Sequence, residues 1–387
     1  MASAIVNSGA KTQVNFEKQR YFALDVLRGM TIALMILVNT PGSWSTIYAP
    51  FMHASWHGFT LTDLVFPTFL FVIGNAASFS LKKYENRSEN AFLSKIFRRT
   101  ASIFLIGLLL NAFPFVYRAD DGVHFIDFST VRIMGVLQRI ALCYCVASLI
   151  LHYFKLKVAL VAGVMIVLGY WAILWFFGTH PDPYSLENNA ALRLDQYFFR
   201  EINLYGGFGI PFDPEGLLST LPAVVNVIAG YAAGVFIQKS GNTRRTIINL
   251  AIAGLVLLLV AELWNPYFPI NKAIWTSPFV LVSTGWDLLI IGALILIIEI
   301  KNFKGWTYFF EAFGRNPLFI FIMSGVVITL MNVIHIDGQS LHVLIYQNLF
   351  LSWLNPYNAS LGFAICYVTL MWLLGYVLDR NKIYIKV

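Results

Sequence analysis

The sequence predicts an all-α, polytopic membrane protein of about ten transmembrane helices, and three observations lead there. Of its 387 residues, 58% are hydrophobic and only 12% charged, with a mean hydropathy of +0.68. A soluble domain is nearer half apolar and a quarter charged. The apolar residues fall into runs of ~20, the length that crosses a bilayer at a rise of ~1.5 Å per residue. The basic residues behind the net charge of +7 cluster in short connections beside those runs, which is a membrane-topology signal rather than a nucleic-acid footprint.

Residues 1–22 are polar and lack the charged, apolar, small-residue order of a cleaved signal, so they read as a cytoplasmic N-terminal segment. Residues 23–387 read as a single transmembrane domain. Candidate spans are 23–41, 62–81, 97–116, 134–153, 158–178, 220–238, 246–264, 276–300, 316–334 and 360–379. With alternating sides, most of the 27 Lys and Arg residues fall on the side of both termini, which the positive-inside rule makes the cytoplasm.

The first run carries Asp25 and Arg28 one turn apart, then ends at Asn39 ahead of Pro41 and Gly42. Asp25 and Arg28 fit an i,i+3 pair, or Arg28 faces an anionic ligand. The Asn39 amide suits donation to an oxyanion, and it suits equally well a polar residue closing a span. Next comes FMHASWHGFTLTDLVFP, residues 51–67, which sets His53, Trp56, His57 and Asp63 at a junction between two spans. Ionisable groups at membrane depth are costly enough to be functional candidates. A neutral imidazole accepts a proton near pH 7, and a nearby carboxylate fixes its tautomer. Interfacial loop histidines and a helix-start carboxylate near Thr60 and Thr62 fit the same letters.

Arg98 and Arg99, at the third span, read as positive-inside charge. Arg139 begins the fourth span beside Gln138, either snorkelling to the interface or pairing within the bundle. Gly230 and Gly234 form a small-xxx-small pair suited to close helix packing. Asp287 lies well inside the eighth span, where a carboxylate needs Arg, His or Asn from another helix, and Arg139 is the expected partner. Arg315 and Asn316 precede Pro317 at a helix start, a natural anion site. Residues 342–354, HVLIYQNLFLSWL, read as an amphipathic interfacial helix. Cys143, Cys145 and Cys366 all lie in apolar runs, so no disulfide framework is expected. There is no P-loop, GxSxG, HExxH or CxxC pattern to support ATP hydrolysis, serine hydrolysis or thiol-ligated zinc, and no metal is expected.

In order along the chain stand LDVLRGMTIALMILVN, HASWHGFTLTDLVFPTFLFVIG, VRIMGVLQRIALCY, DPEGLLSTLPAVVNVIAG, NKAIWTS and RNKIYIKV. Together these blocks, from about Tyr21 to Val387, closely resemble the heparan-alpha-glucosaminide N-acetyltransferase family of transmembrane acetyltransferases. The chain is similar to its compact bacterial form, which places it in a bacterial cytoplasmic membrane. The resemblance implies acetyl transfer from cytoplasmic acetyl-CoA to an amino sugar across the lipid bilayer, with no nucleic acid involved and a homodimer left open. It implies that His53, Asn39 and Asp63 are the catalytic set and that His57 is a neighbour without a catalytic role. Arg28, Arg315 and Asn316 are then candidates to hold the cofactor. Arg139, Asp287 and Trp56 are candidate polar residues on the substrate side. The outer loop bearing His53 is expected to dip inward to meet the thioester. On the residues alone, spans with intramembrane charge also suit a secondary transporter of a sugar or other small polar solute, with Asp287 and Arg139 at its midplane. The lack of a visible internal repeat weighs against that reading.

Overall fold

A computed structural model describes residues 22–84, 87–119 and 122–385. The expected segment 1–22 lies, except for Phe22, outside the described residues. The long helices are α1 (Phe22–Asn39), α2 (Leu61–Ser80), α3 (Glu89–Ala112), α4 (Val136–Tyr153), α5 (Leu156–Phe177), α7 (Leu217–Ser240), α8 (Arg244–Trp264), α9 (Ser277–Leu294), α11 (Pro317–Val333) and α13 (Pro356–Arg380). Shorter helices are α6 (Ala190–Phe198), α10 (Thr307–Arg315) and α12 (Leu341–Ile345), and two hairpins pair β1 (Val116–Ala119) with β2 (Gly122–Phe125) and β3 (His335–Ile336) with β4 (Gln339–Ser340). The architecture is thus all-α and polytopic, as expected.

Among the described residues, eight helices are long and apolar enough to span a membrane, and α10 with α11 forms a ninth, bent by 85°. The bend falls at Arg315–Asn316–Pro317, where proline cannot donate to the helix ladder. The remaining expected span, 97–116, corresponds to α3. This helix is 24 residues long but carries Lys95, Arg98 and Arg99 in its first half, so only its second half is continuously apolar. Residues 341–351 form a short apolar helix, in agreement with the expected interfacial segment.

Helix α2 sits at the centre, with 83% of its span buried, while α5 and α8 lie at the rim with 28% and 22% buried. Small residues let α2 and α7 touch backbone to backbone. A Cβ on Gly74 would lie 1.8 Å from the Val227 carbonyl oxygen, and one on Gly230 would lie 1.9 Å from that of Phe71. Gly230→Ala should therefore push the two central helices apart. Overpacking of this kind costs about 1–3 kcal/mol or more, so the yield and melting temperature of monodisperse protein should drop. Gly169→Ala on α5, where nothing lies within 4 Å, should leave both unchanged.

Side-chain contacts sort the connections into two ends. At one end Glu299 accepts from the Ala23 amide in the first turn of α1, Lys82 reaches Gln238 at the close of α7, and Arg315 pairs with Asp379 at the close of α13. This end gathers Lys82, Lys239, Arg244, Arg245, Lys301, Lys304 and Arg380. At the other end, residues 40–60 meet the start of α13 through Ser43 and Ser360, and Arg132 reaches Asp213 ahead of α7.

Candidate active site

The segment between α1 and α2 contains one short 3-10 turn, Ala49–Phe51, and no re-entrant helix. It is fastened on three sides. Ser43 N–H donates to Ser360 Oγ (3.1 Å), the Trp56 indole N–H to the Tyr184 carbonyl (2.9 Å), and Gly58 N–H to the Ile270 carbonyl (2.8 Å). Gly58 has φ +123°, a conformation that side-chain-bearing residues rarely adopt. Trp56 also packs edge-on against Phe208 and Phe212. The structure thus makes Trp56 an anchor tying this segment to the long 178–216 connection.

Asp63 organises the end of the segment. Its Oδ2 accepts from Ala54 N (3.1 Å), Thr60 N (3.1 Å) and Thr60 Oγ1 (2.9 Å), while Asp63 N–H donates back to Thr60 Oγ1, completing a capping box on α2. The other oxygen, Oδ1, lies 2.7 Å from His53 Nδ1. An ionised carboxylate only accepts, so Nδ1 carries the proton and Nε2 keeps its lone pair. The Asp63 side chain is 1% exposed and that of His53 is 47% exposed, so the orienting group is shielded and the basic nitrogen is accessible. The sequence expected a carboxylate near His53 that fixes its tautomer, and Asp63 makes that contact.

A third group was not anticipated. Lys272 Nζ lies 3.1 Å from His53 Nδ1, 3.3 Å from Nε2 and 3.8 Å from Asp63 Oδ1. The connection between α8 and α9 holds it there. Asn271 N–H donates to Thr276 Oγ1 and Asn271 Oδ1 accepts from Ile274 N–H, both at 3.0 Å, while Trp275 turns through φ +49°. Burial pushes the Lys272 ammonium below the usual lysine range, and the Asp63 carboxylate opposes that shift. A sequence signal existed. Lys272 stands in the NKAIWTS block and is one of the few cations outside the basic connections, but its distance from His53 along the chain hid the pairing. His57 instead receives the Asn271 amide at Nδ1 (3.3 Å) and braces the same connection, so it stands outside the acid–base contacts.

The other expected residues are placed as follows. Asn39 ends α1 with its side chain exposed and, among the described residues, no side-chain hydrogen bond to His53 or Asp63. Arg139 and Asp287 do not pair. Arg139 is fully buried, donates to Ser219 Oγ and the Gly216 carbonyl at the start of α7, and lies 4.8 Å over the Trp275 ring. Its Nε and Nη1 find no partner among the described residues. Asp287 Oδ1 accepts from Thr68 Oγ1 on α2 (2.6 Å), a neutral hydroxyl in place of the expected cation. Arg139 instead lies near the carboxylates of Asp213 and Glu215, which themselves bind Arg132 at 2.7 and 2.6 Å. Arg28, Arg315 and Asn316 do come together, at the basic end. Arg28 Nη1 reaches the Gly314 carbonyl (3.3 Å), Arg315 pairs with Asp379 and Glu311, and Asn316 holds the tail at Ile383 and Ile385. Phosphate there would have to displace Asp379 and Glu311 from Arg315.

At the other end, near Asp213 and Arg139, Asp195 on α6 accepts from Leu217 N–H at the start of α7 (2.9 Å) and is fully buried. Burial, reinforced by Asp213, pushes its carboxyl up to about 7. The folded protein therefore holds a proton on Asp195 that the unfolded chain gives up near pH 4. Its contribution to stability is greatest at low pH and is lost as pH rises towards 7. Asp195→Asn keeps the oxygen acceptor without the charge. Its melting temperature relative to the parent should rise between pH 5 and pH 8, by an amount equivalent to at most roughly 3 kcal/mol. A pH-independent difference would place the proton elsewhere.

Comparison with known proteins adds an independent line. The family model for heparan-alpha-glucosaminide N-acetyltransferase, catalytic, matches residues 20–260, which include His53 and Asp63. The heparan-alpha-glucosaminide N-acetyltransferases of Homo sapiens and Mus musculus are each 24% identical over 359 residues, covering 78% of this chain and 52% and 53% of theirs. The chain spans about half the length of the curated relatives it matches.

Proposed function

Because this chain belongs to the heparan-alpha-glucosaminide N-acetyltransferase family, we propose that it transfers acetyl from acetyl-CoA to the amine of an amino sugar on the opposite face of a membrane. The observation that carries this reading is the His53–Asp63 pair, a solvent-accessible imidazole whose buried carboxylate fixes its tautomer. His53 Nε2 removes the proton from the acceptor amine as the nitrogen attacks the thioester carbonyl, and Asp63 stabilises the imidazolium that forms. Asn39, with its amide exposed at the outer end of α1, donates to the carbonyl oxygen as negative charge develops there.

The fold suits a donor that enters from one side and an acceptor from the other. Arg28 and Asn39 stand on the same helix, 11 residues apart in sequence, which separates the two ends by about 16 Å. A pantetheine arm bridges such a gap, with the phosphates near Arg28, Arg315 and Asn316 and the thioester near His53. The basic end faces the cytoplasm by the positive-inside rule, and the membrane is the bacterial cytoplasmic membrane.

Purified protein given acetyl-labelled acetyl-CoA and glucosamine should form labelled N-acetylglucosamine. Accumulation of unmodified glucosamine in proteoliposomes lacking acetyl-CoA, with no labelled product under any condition, would instead establish a transporter.

A further inference from the structure

His53 accounts for one proton of an N-acetyl transfer, but the reaction moves two charges. The amine must lose a proton, and the departing CoA sulfur leaves as a thiolate unless a proton reaches it. The proton given to His53 must also leave before the next turnover. The group in contact with His53 that can meet both needs is Lys272, within 3.1 and 3.3 Å of the two ring nitrogens.

Resting on the acetyltransferase reading above, we propose that Lys272 is the general acid of the reaction, protonating the CoA sulfur and then recovering its proton from His53. The amine nitrogen attacks the thioester carbonyl carbon, and its proton passes to His53 Nε2. The tetrahedral intermediate collapses, the carbon–sulfur bond breaks, and Lys272 Nζ–H gives its proton to sulfur as that bond's electron pair departs. His53 Nε2–H then returns a proton across the direct contact to Lys272 Nζ. The sum is amine plus thioester giving amide plus thiol, with both residues restored and no other reagent consumed.

The surroundings support an acid rather than a fixed counter-ion. Lys272 faces Asp63, His53 and, at longer range, Glu215 and Arg139. Asp63 is already satisfied by three donors on one oxygen and His53 on the other, so at 3.8 Å it is a loose partner for the ammonium. The Lys272 side chain remains 21% exposed, open to an incoming ligand. A partly buried lysine with a lowered affinity for its proton is a better acid towards a thiolate than a fully exposed one.

Leaving-group dependence tests the proposal. The parent, Lys272→Met and Lys272→Arg are compared with acetyl-CoA and with an acetyl aryl thioester, whose thiolate needs no proton to leave. Loss of an acid costs about 10²–10⁴-fold. We expect Lys272→Met to fall by that factor with acetyl-CoA and by less than about tenfold with the aryl thioester. Lys272→Arg, which keeps the charge but cannot release a proton, should behave like Met. Acetyl-CoA binding and the melting temperature of both variants confirm a folded site. Equal losses with both donors, full rescue by Arg, or unimpaired Met would each overturn the acid role. Failure of the parent to transfer acetyl from either donor would overturn the acetyltransferase reading on which it rests.

Discussion

Replacing His53 by alanine should lower kcat for acetyl transfer to glucosamine by at least about a thousandfold, which corresponds to roughly 4 kcal/mol of transition-state stabilisation. The fold should survive. His53 is half exposed, its backbone is not part of a helix, and the segment is fastened elsewhere by Ser43, Trp56 and Gly58. Removing the imidazole leaves Asp63 its three donors on Oδ2 and allows Lys272 to close on Oδ1 from 3.8 Å. Acetyl-CoA affinity, measured by titration calorimetry in detergent, should change by less than a few fold. An active His53→Ala protein would remove the base from the mechanism.

Asp63→Asn should be nearly as damaging for a different reason. The carboxylate accepts from every neighbour, and an amide has only one accepting atom. If its oxygen faces Ala54 N–H and Thr60, its NH₂ faces His53 Nδ1. That ring nitrogen must then accept, which moves the proton to Nε2 and abolishes the base. If the amide turns over, the NH₂ meets two backbone donors and a hydroxyl at about 3 Å, and the capping box breaks. The first outcome costs activity, by analogy with triad aspartates about 10⁴-fold. The second also costs about 1–3 kcal/mol of stability. Kinetics together with a melting curve separates the two, and retention of parental activity would show that the tautomer does not matter.

Much of the fold was legible because a bilayer imposes a length and a polarity on every span: eight of the ten apolar runs meet spanning helices within a few residues, while 97–116 starts eight residues inside α3 and 316–334 covers only the α11 half of the bent unit. The 85° break between α10 and α11 was legible only as Arg315–Asn316–Pro317, a helix start. The helix before that start is nine residues long and carries Glu311 and Arg315, too short and too charged to stand out as a span. Helix α6 and the β1–β2 hairpin were missed because the connections between spans are free of the apolar length rule. In the site, His53 and Asp63 were legible because they lie ten residues apart on one segment, with α2 capped between them. Lys272 was not, since 219 positions separate it from His53 and only the α8–α9 connection folding back brings it there. The expected Arg139–Asp287 pair failed on geometry. Arg139 faces the start of α7 while Asp287 faces α2, and a hydroxyl at Thr68 and a ring at Trp275 supplied partners that charge counting does not reveal.

The central claim is that donor and acceptor meet at His53 from opposite sides of the membrane. Proteoliposomes containing the protein, loaded with glucosamine and washed, are given acetyl-labelled acetyl-CoA outside only. Protein molecules inserted with the basic end outward should deposit labelled N-acetylglucosamine inside intact vesicles, and His53→Ala vesicles should deposit none. Labelled product that appears only when acetyl-CoA and glucosamine share one compartment would contradict the account.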